Sequence, residues 1–172
     1  HGHWEKVFKV RQGAFGIVST VDSFGPQGFQ RTLWLNNNYV LEAGREDVRG
    51  TFRMGILPLL IQPDSKSALA LGVGTGIWNR GLLEAGFEQV IGIELIPEVL
   101  EAARTDFRDY NRNLFEHPGF RPVREDARAF VKFGQGKFDV ICCDLFTPWN
   151  ESTSLMYSQE HFTAAKNRLA PG

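Results

Sequence analysis

The chain has 172 residues, of which 42% are hydrophobic and 23% charged, and its formal net charge is −1. This composition excludes a disordered chain, and the near-neutral charge argues against nucleic acid as the main partner. The longest apolar run, "MGILPLLI" at 54–61, is too short to cross a bilayer, so no membrane contact is expected in this segment.

The first 44 residues carry the pattern of a small antiparallel β appendage. Four β-type runs are separated by turns rich in glycine and asparagine, which predicts three or four strands. In chain order the runs are "EKVFKVRQ", "GIVSTVDS", "RTLWLNN" and "YVLEA". Residues 45–66 follow as a gate helix and linker, with the helix predicted over 45–60 and ending near Pro63 and Asp64.

Residues 67–172 alternate between strand and helix patterns, which predicts an α/β fold with a doubly wound, mostly parallel sheet. The predicted strands are "SALALGV", "QVIGIEL", "FRPVRE" and "FDVICCDLF". The predicted helices are "IWNRGLLEAG", "PEVLEAARTDFRDY" beginning at Pro97 and reaching about Tyr110, "DARAFVKF" and "SQEHFTAAKNRLAPG". The nearly continuous apolar runs are typical of strands that are covered on both faces.

Cys142 and Cys143 are adjacent in the fourth strand, so their side chains should point to opposite faces and not form a disulfide. We interpret both as small buried hydrophobic residues of a reducing compartment, which predicts a cytoplasmic protein. The four histidines are scattered and no CxxC motif is present, so no metal site is predicted.

The candidate site lies where the strands end, because ligands of open parallel sheets bind beyond the carboxyl ends of the strands. The residues found there are, in chain order, the glycine loop of Gly72, Gly74 and Gly76, then Glu94, Asp126 and Asp144. A glycine loop between a strand and a helix lets a nucleotide approach the backbone closely. The sequence therefore predicts one crevice that holds the loop and three carboxylates.

Each carboxylate has a functional interpretation and an ordinary one. Glu94 lies 18 residues after Gly76, about the spacing at which an acid accepts hydrogen bonds from ribose hydroxyls, although it could be a solvated strand-end acid. Asp126 could cap the helix that begins at Ala127, accept from an adenine amino group, or do both. Asp144 follows the apolar "VICC" run, and we favour a functional role over that of a turn-forming aspartate.

The loop reads G-x-G-x-G, with Ile77 where the dinucleotide fingerprint requires a third glycine, so NAD is disfavoured. It resembles the loop of class I S-adenosylmethionine-dependent enzymes. With the loop, four further segments resemble the spermidine synthase family of aminopropyltransferases, in particular its divergent spermidine synthase-like branch, from about Leu57 to Gly172. Those segments are "VIGIELIPEVLEAAR", "REDARAF", "FDVICCDLFTPW" and "LMYSQEHFTAAKNRLAPG".

The resemblance implies a class I methyltransferase-like fold with strand order 3-2-1-4, and it implies roles for the site residues. The three loop glycines match the nucleoside loop, Glu94 matches the ribose acid, and Asp126 with Ala127 matches the adenine contact. Asp144 matches the aspartate that deprotonates the attacking amine.

Two positions depart from the family pattern. Thr75 stands where aminopropyltransferases have an aspartate that grips the donor's ammonium group, and Thr147 replaces a second aspartate that holds the polyamine. The family's acceptor-side tyrosine and glutamine are not found around Gly50 and Thr51. The donor half of the site is therefore kept, and the acceptor half is altered.

The resemblance implies a transferase whose donor is S-adenosylmethionine or its decarboxylated form, whose acceptor is a small amine, and which needs no metal. The alternatives are a small-molecule methyltransferase of the same fold and a catalytically silent adenosyl-binding module. An NAD-dependent oxidoreductase is the weakest alternative.

Three further expectations concern surfaces. Arg45, Arg49 and Arg53 form a helical stripe, interpreted as a solvated face, or as a surface for an anionic acceptor if it faces the cleft. The apolar fourth strand would be an edge strand, which invites pairing with another chain. We therefore expect either that the domain is truncated at its C-terminal end and continues past Gly172, or that a homodimer covers this edge. The family's dimerisation through its N-terminal strands is compatible with both.

Overall fold

The structure is a computed structural model that describes residues 4–26, 28–43, 45–143 and 154–171. Two four-stranded sheets make up its framework. Asp144 and Thr147 lie outside the described residues. Every helix within the described ranges falls short of the length and apolarity that a bilayer-spanning helix requires.

The N-terminal sheet is antiparallel, with its strands in the order β1-β2-β3-β4, as the four sequence runs predict. Its strands are β1 (Trp4–Gly13), β2 (Gly16–Gly25), β3 (Gly28–Leu35) and β4 (Asn38–Ala43). Alternation along the strands gives the sheet a buried inner face, where Val18, Thr20 and Leu33 are fully buried. The turn before β4 has φ values of 50° and 59° at Asn36 and Asn37, a left-handed conformation that asparagine tolerates better than most residues.

The second sheet is parallel, and its strand order β7-β6-β5-β8 is the predicted order 3-2-1-4. Its strands are β5 (Ser67–Leu71), β6 (Gln89–Glu94), β7 (Phe120–Arg124) and β8 (Val140–Cys143). The helices between and after them are α3 (Ile77–Ala85), α4 (Pro97–Thr105), α5 (Ala127–Phe133) and α6 (Gln159–Lys166). This α/β arrangement confirms the predicted fold class.

The gate segment differs from the single helix predicted over 45–60. It forms two helices, α1 (Arg45–Met54) and α2 (Leu57–Ile61). Gly55 stands at the break and packs against α3 so tightly that a Cβ there would lie 2.4 Å from the carbonyl carbon of Gly81. The helices separate because Pro58, in the first turn of α2, has no N–H to donate to the Met54 carbonyl, and the missing side chain at Gly55 allows the close contact with α3.

One other predicted boundary also moves. The helix that begins at Pro97 ends at Thr105, several residues before Tyr110, and the chain continues through turns to a short 3-10 helix at Leu114–Glu116. At this end of α4 the side chain of Asp106 turns towards the N-terminal sheet and binds Arg11. The helix thus ends where its next side chain takes part in a contact between the two sheets.

Strand β8 is less buried than its sequence indicates. Cys142 is buried, and burial raises the pKa of its thiol to about 12. Cys143 is exposed, so only one of the two cysteines is a core residue. Val140 and Ile141 are half-buried, because in the part of the chain that the structure describes β8 pairs with β5 alone.

The starts of β5 and β8 are joined by a carboxylate just before β8. Asp139 Oδ2 accepts hydrogen bonds from the backbone amides of Lys66 and Ser67 at 2.8 Å and from the Ser67 hydroxyl at 2.9 Å. These hydrogen bonds hold the pKa of Asp139 below its usual value. The contact fixes the register of the two strands at the end away from the candidate site.

The two sheets are connected by a buried ion pair between β1 and the residue that follows α4. Arg11 donates to both carboxylate oxygens of Asp106, at 2.6 and 2.7 Å, across 95 residues of sequence. Thr20 donates to the same carboxylate at 2.7 Å, and Arg31 donates to the Asp106 backbone oxygen at 2.8 Å. Burial would raise the pKa of Asp106, but hydrogen bonds from Arg11, Thr20 and Thr105 and the charge of Arg11 outweigh it and lower the pKa.

Removing the carboxylate should destabilise the protein strongly. We expect Asp106→Asn to lower the free energy of unfolding by about 3–5 kcal/mol, because the buried Arg11 guanidinium loses its buried counter-charge and keeps only the exposed Glu101. The control is Glu88→Gln, which breaks an exposed pair with Lys66 and should cost less than about 1 kcal/mol. Urea unfolding at pH 7 measures both, and similar small losses would contradict the assigned role of the pair.

The same pair predicts a pH dependence. The pKa of Asp106 in the folded protein lies below its usual 3.8, so the pair stabilises the fold at neutral pH. This contribution is lost as the pH falls from the unfolded-state value through the folded-state pKa. Acid unfolding of Asp106→Asn should therefore lack this step, and the difference in stability between the two proteins should shrink below about pH 4.

Candidate functional site

The glycine loop joins the carboxyl end of β5 to the start of α3. Gly72, Gly74 and Gly76 have φ values of 111°, 55° and 81°, which lie in the region that favours glycine. The Gly72 amide donates to the Ile93 carbonyl of β6 at 2.8 Å, so the loop begins in register with the neighbouring strand. All three glycines are therefore used for their backbone conformation, as the sequence pattern predicts.

Glu94 is the last residue of β6, and its carboxylate binds the glycine loop. Its Oε2 accepts from the amides of Val73 and Gly74, each at 3.3 Å, and its Oε1 accepts from the amide of Ile96 at 3.1 Å. Burial raises the pKa of Glu94, and these amides oppose the shift. A carboxylate offers about four acceptor positions, so this one can still accept from a ligand hydroxyl.

Asp126 lies at the same edge of the sheet, two residues beyond β7. Its Oδ1 accepts from the Ala129 amide at 2.8 Å, so it is the N-cap of the helix that begins at Ala127. The Glu125 amide donates to the Glu94 carbonyl at 3.1 Å, which brings the two strand ends together. Asp126 is therefore a helix cap, and its exposed carboxylate is also accessible to a ligand.

The turn between β1 and β2 packs against the first turn of α4, directly after Glu94. The carboxylate of Glu98 occupies the space that a side chain at residue 13 would need, since a Cβ on Gly13 would lie 1.9 Å from Glu98 Oε1. Within the described ranges, the buried Glu98 Oε2 has no hydrogen-bond partner. The N-terminal sheet thus reaches the edge of the crevice through a glycine that sequence patterns did not single out.

Two buried asparagines that sequence reasoning missed contact the loop from behind. Asn79 donates to the carbonyls of Gly72 and Val73, and Asn111 donates to the carbonyl of Thr75. The only sequence signal for Asn79 was a polar residue on the apolar face of α3, three and four positions before the buried Leu82 and Leu83. Asn111 lies in a turn with no motif at all.

The remaining candidate residues lie in the loop, on α1 and after β8. Thr75 is buried in the loop. Arg49 and Arg53 are exposed on α1, as the solvated-face interpretation requires. Asp144 follows Cys143, the last residue of β8, and so lies next to the described chain but outside it. Among residues 4–26, 28–43, 45–143 and 154–171, no group of three or more His, Cys, Asp or Glu side chains could hold a metal ion.

The arrangement can hold a nucleoside. A glycine loop whose amides bind a half-buried acid on the neighbouring strand end, and a further acid two residues beyond the next strand, lie at one edge of a parallel sheet. Acids in these places can accept hydrogen bonds from ribose hydroxyls and from an exocyclic amine. The geometry offers a binding site for a nucleoside. The reaction that such a site could support depends on the acceptor that is bound opposite the nucleoside.

Comparison with known proteins assigns the family. A family described as "Methyltransferase domain" matches residues 68–171. The chain is 34% identical over 116 residues to a polyamine aminopropyltransferase of Mycobacterium tuberculosis, covering 65% of this chain and 22% of that protein. It is 31% identical over 149 residues to the polyamine aminopropyltransferase of Corynebacterium efficiens, covering 85% of this chain and 28% of that protein. The chain thus spans less than a third of the length of these two relatives.

Solved structures show the same fold. A spermidine synthase in complex with the transition state analogue AdoDATO superposes with a TM-score of 0.80 at 22% identity, covering 95% of this chain and 55% of that one. The CalS10 amino pentose methyltransferase from Micromonospora echinaspora, bound to SAM, gives a TM-score of 0.51 at 26% identity, covering 72% of this chain and 47% of that one. The chain therefore belongs to the methyltransferase-domain family and is a spermidine synthase-like member of it.

Proposed function

We propose that this chain binds an adenosyl sulfonium donor and belongs to an enzyme that transfers an aminopropyl group from decarboxylated S-adenosylmethionine to a small amine. The observation that carries the proposal is the half-buried carboxylate of Glu94 on the amides of the glycine loop. The sequence similarity to polyamine aminopropyltransferases supports the type of transfer.

In the proposed complex the donor's ribose lies against Glu94 and its adenine near Asp126 and Ala127. The glycine loop passes beneath the nucleoside, with Gly72 and Gly74 leaving room for it. Thr75, buried in the loop, stands beside the sulfonium tail at the position where the family pattern has an aspartate. These contacts supply alignment, which is the main requirement of a displacement between two bound reactants.

The proposed step is a displacement at carbon. The lone pair of the acceptor nitrogen forms a bond to the CH₂ group attached to the sulfonium, the C–S bond breaks, and its electron pair stays on sulfur as a neutral thioether. The attacking amine must be neutral, and for a pKa near 10.4 this costs about 4–5 kcal/mol at pH 7. We assign Asp144 as the general base that takes the proton lost by the nitrogen.

Methyl transfer from S-adenosylmethionine to a small molecule is the second candidate. Thr75 favours it, because a neutral threonine lacks the negative charge that would select a donor whose ammonium group has no carboxylate beside it. The fold of the SAM-bound methyltransferase is also compatible with it. Aminopropyl transfer remains the first choice because the relatives with the stronger similarity carry that name.

Ligand titration tests the donor proposal. By calorimetry, methylthioadenosine, S-adenosylmethionine and its decarboxylated form should bind, and NAD should not. Because of Thr75, the dissociation constants of the two sulfonium donors should lie within about tenfold, or about 1.4 kcal/mol. A much stronger preference for the decarboxylated form would indicate an orthodox aminopropyltransferase, and binding of NAD alone would reject the proposal.

Glu94→Ala should weaken methylthioadenosine binding by about 1.5–3 kcal/mol, since it removes a charged hydrogen-bond acceptor. The matched control is Glu125→Ala, which removes an exposed carboxylate from the same sheet edge and should leave the affinity unchanged. Equal affinity of both variants would place the ribose elsewhere.

Asp144→Asn should separate binding from turnover. The amide keeps the shape of the carboxylate but cannot take a proton, so methylthioadenosine should bind normally while transfer to a panel of mono- and diamines falls by at least about a hundredfold. Near-normal turnover would move the base to another residue. Absence of turnover in the unmodified protein, with donor binding intact, would favour a silent adenosyl-binding module.

We also propose a cytoplasmic homodimer that forms through the N-terminal sheet. Val7, Val10 and Ile17 lie on the face opposite the buried one and are 55%, 55% and 47% exposed, which supports an interface there. Val10→Lys should convert the dimer to a monomer by light scattering without changing unfolding, because a charge would be buried only in the dimer. A monomeric unmodified protein would contradict this proposal.

A further inference from the structure

We infer that Asn79 and Asn111 are positioning residues for the adenosyl donor: their side-chain amides hold the glycine-loop carbonyls inside the protein and so aim the loop towards the crevice. The inference rests on the proposed function, because the ligand it concerns is the adenosyl group of the donor. Neither asparagine is proposed to touch the ligand.

Asn111 is fully buried, and both the nitrogen and the oxygen of its side-chain amide are hydrogen-bonded. Its Nδ2 donates to the carbonyl of Thr75 at 3.0 Å and to the carbonyl of Ala103 in α4 at 2.7 Å. Its Oδ1 accepts from the Leu114 amide at 3.2 Å. One side chain thus ties the glycine loop to α4 and to the short helix at Leu114–Glu116.

Asn79 holds the other half of the loop from α3. It is 1% exposed, and its Nδ2 donates to the carbonyls of Gly72 and Val73 at 3.3 and 3.4 Å. Its Oδ1 is buried and has no hydrogen-bond partner among the described residues. A buried polar atom without a partner costs stability. We therefore assign the role of Asn79 to the two hydrogen bonds that its Nδ2 donates to the loop carbonyls.

Two glycines make the space that these amides need. A Cβ on Gly92, in the middle of β6, would lie 2.8 Å from Asn79 Oδ1. A Cβ on Gly76 would lie 3.1 Å from Asn111 Nδ2. Glycine in a strand interior weakens the strand unless another group must approach closely, and Asn79 is one of the groups that approach here.

The loop is consequently fixed from two sides. Three of its carbonyls, those of Gly72, Val73 and Thr75, accept from the asparagines, and two of its amides donate to Glu94. These bonds set the orientation of the loop's peptide groups before a ligand arrives. A pre-ordered site binds more tightly because less ordering remains to be done on binding.

Asn79→Leu is the sharpest test, because it removes the two donors and also removes the unpartnered oxygen. We expect its dissociation constant for methylthioadenosine to rise at least tenfold while its unfolding midpoint in urea stays the same or increases. Hydrogen exchange of the loop amides in the ligand-free variant should become faster. A purely structural role would instead change stability and affinity together.

The matched control is Thr20→Val, which also replaces a fully buried polar side chain but far from the loop. Its affinity should stay within twofold of the unmodified protein. Should Asn79→Leu fail to fold, Asn79→Ala replaces it: it also removes both bonds to the loop carbonyls but adds neither bulk nor a buried charge, and affinity should again fall at least tenfold.

The outcomes separate the two proposals. If the unmodified protein binds methylthioadenosine and a folded asparagine variant binds it equally well, the positioning role is wrong and the proposed function stands. If the unmodified protein does not bind methylthioadenosine, the proposed function fails, and this inference fails with it.

Discussion

The bond between the Glu94 carboxylate and the glycine-loop amides is the contact on which the candidate site depends. It joins the ends of two neighbouring parallel strands, at the edge of the sheet where ligands bind. The carboxylate is half-buried; burial raises its pKa, and the backbone amides around it oppose that shift. The same carboxylate also accepts from Ile96 and thereby fixes the start of α4.

Helix α4 connects this part of the site to the N-terminal sheet. Its first turn follows Glu94 and packs on Gly13, and the residue after its last turn, Asp106, binds Arg11. Both ends of the helix therefore contact the same antiparallel sheet, and the end that packs on Gly13 is also the end that follows Glu94 at the ligand edge.

The parts of the fold that sequence analysis predicted are those with local signals. The strands and helices, the loop of Gly72, Gly74 and Gly76, and the position of Glu94 follow from short patterns and from the rule that strand ends converge, whereas the strand order came from the family resemblance. The missed contact between the two sheets depends on partners far apart in sequence. Arg11 requires Asp106, and no short window of sequence contains both.

The glycine loop and the position of its acid were predictable from sequence, and the residues behind the loop were not. The loop belongs to a recognisable pattern, whereas Asn79 and Asn111 resemble ordinary polar residues until their carbonyl partners are seen. The exposure of Cys143 was missed for a related reason: an apolar run indicates burial, but how much of a strand is covered depends on its neighbours.

The most direct test of this account is a crystal structure of the protein with methylthioadenosine. The account predicts both ribose hydroxyls within hydrogen-bond distance of the Glu94 carboxylate, the adenine beside Asp126 and Ala127, and the glycine loop unchanged from its ligand-free conformation. A nucleoside bound elsewhere, or a loop that had to rearrange to admit it, would contradict the claim that the ends of β5 and β6 form a preformed adenosyl site.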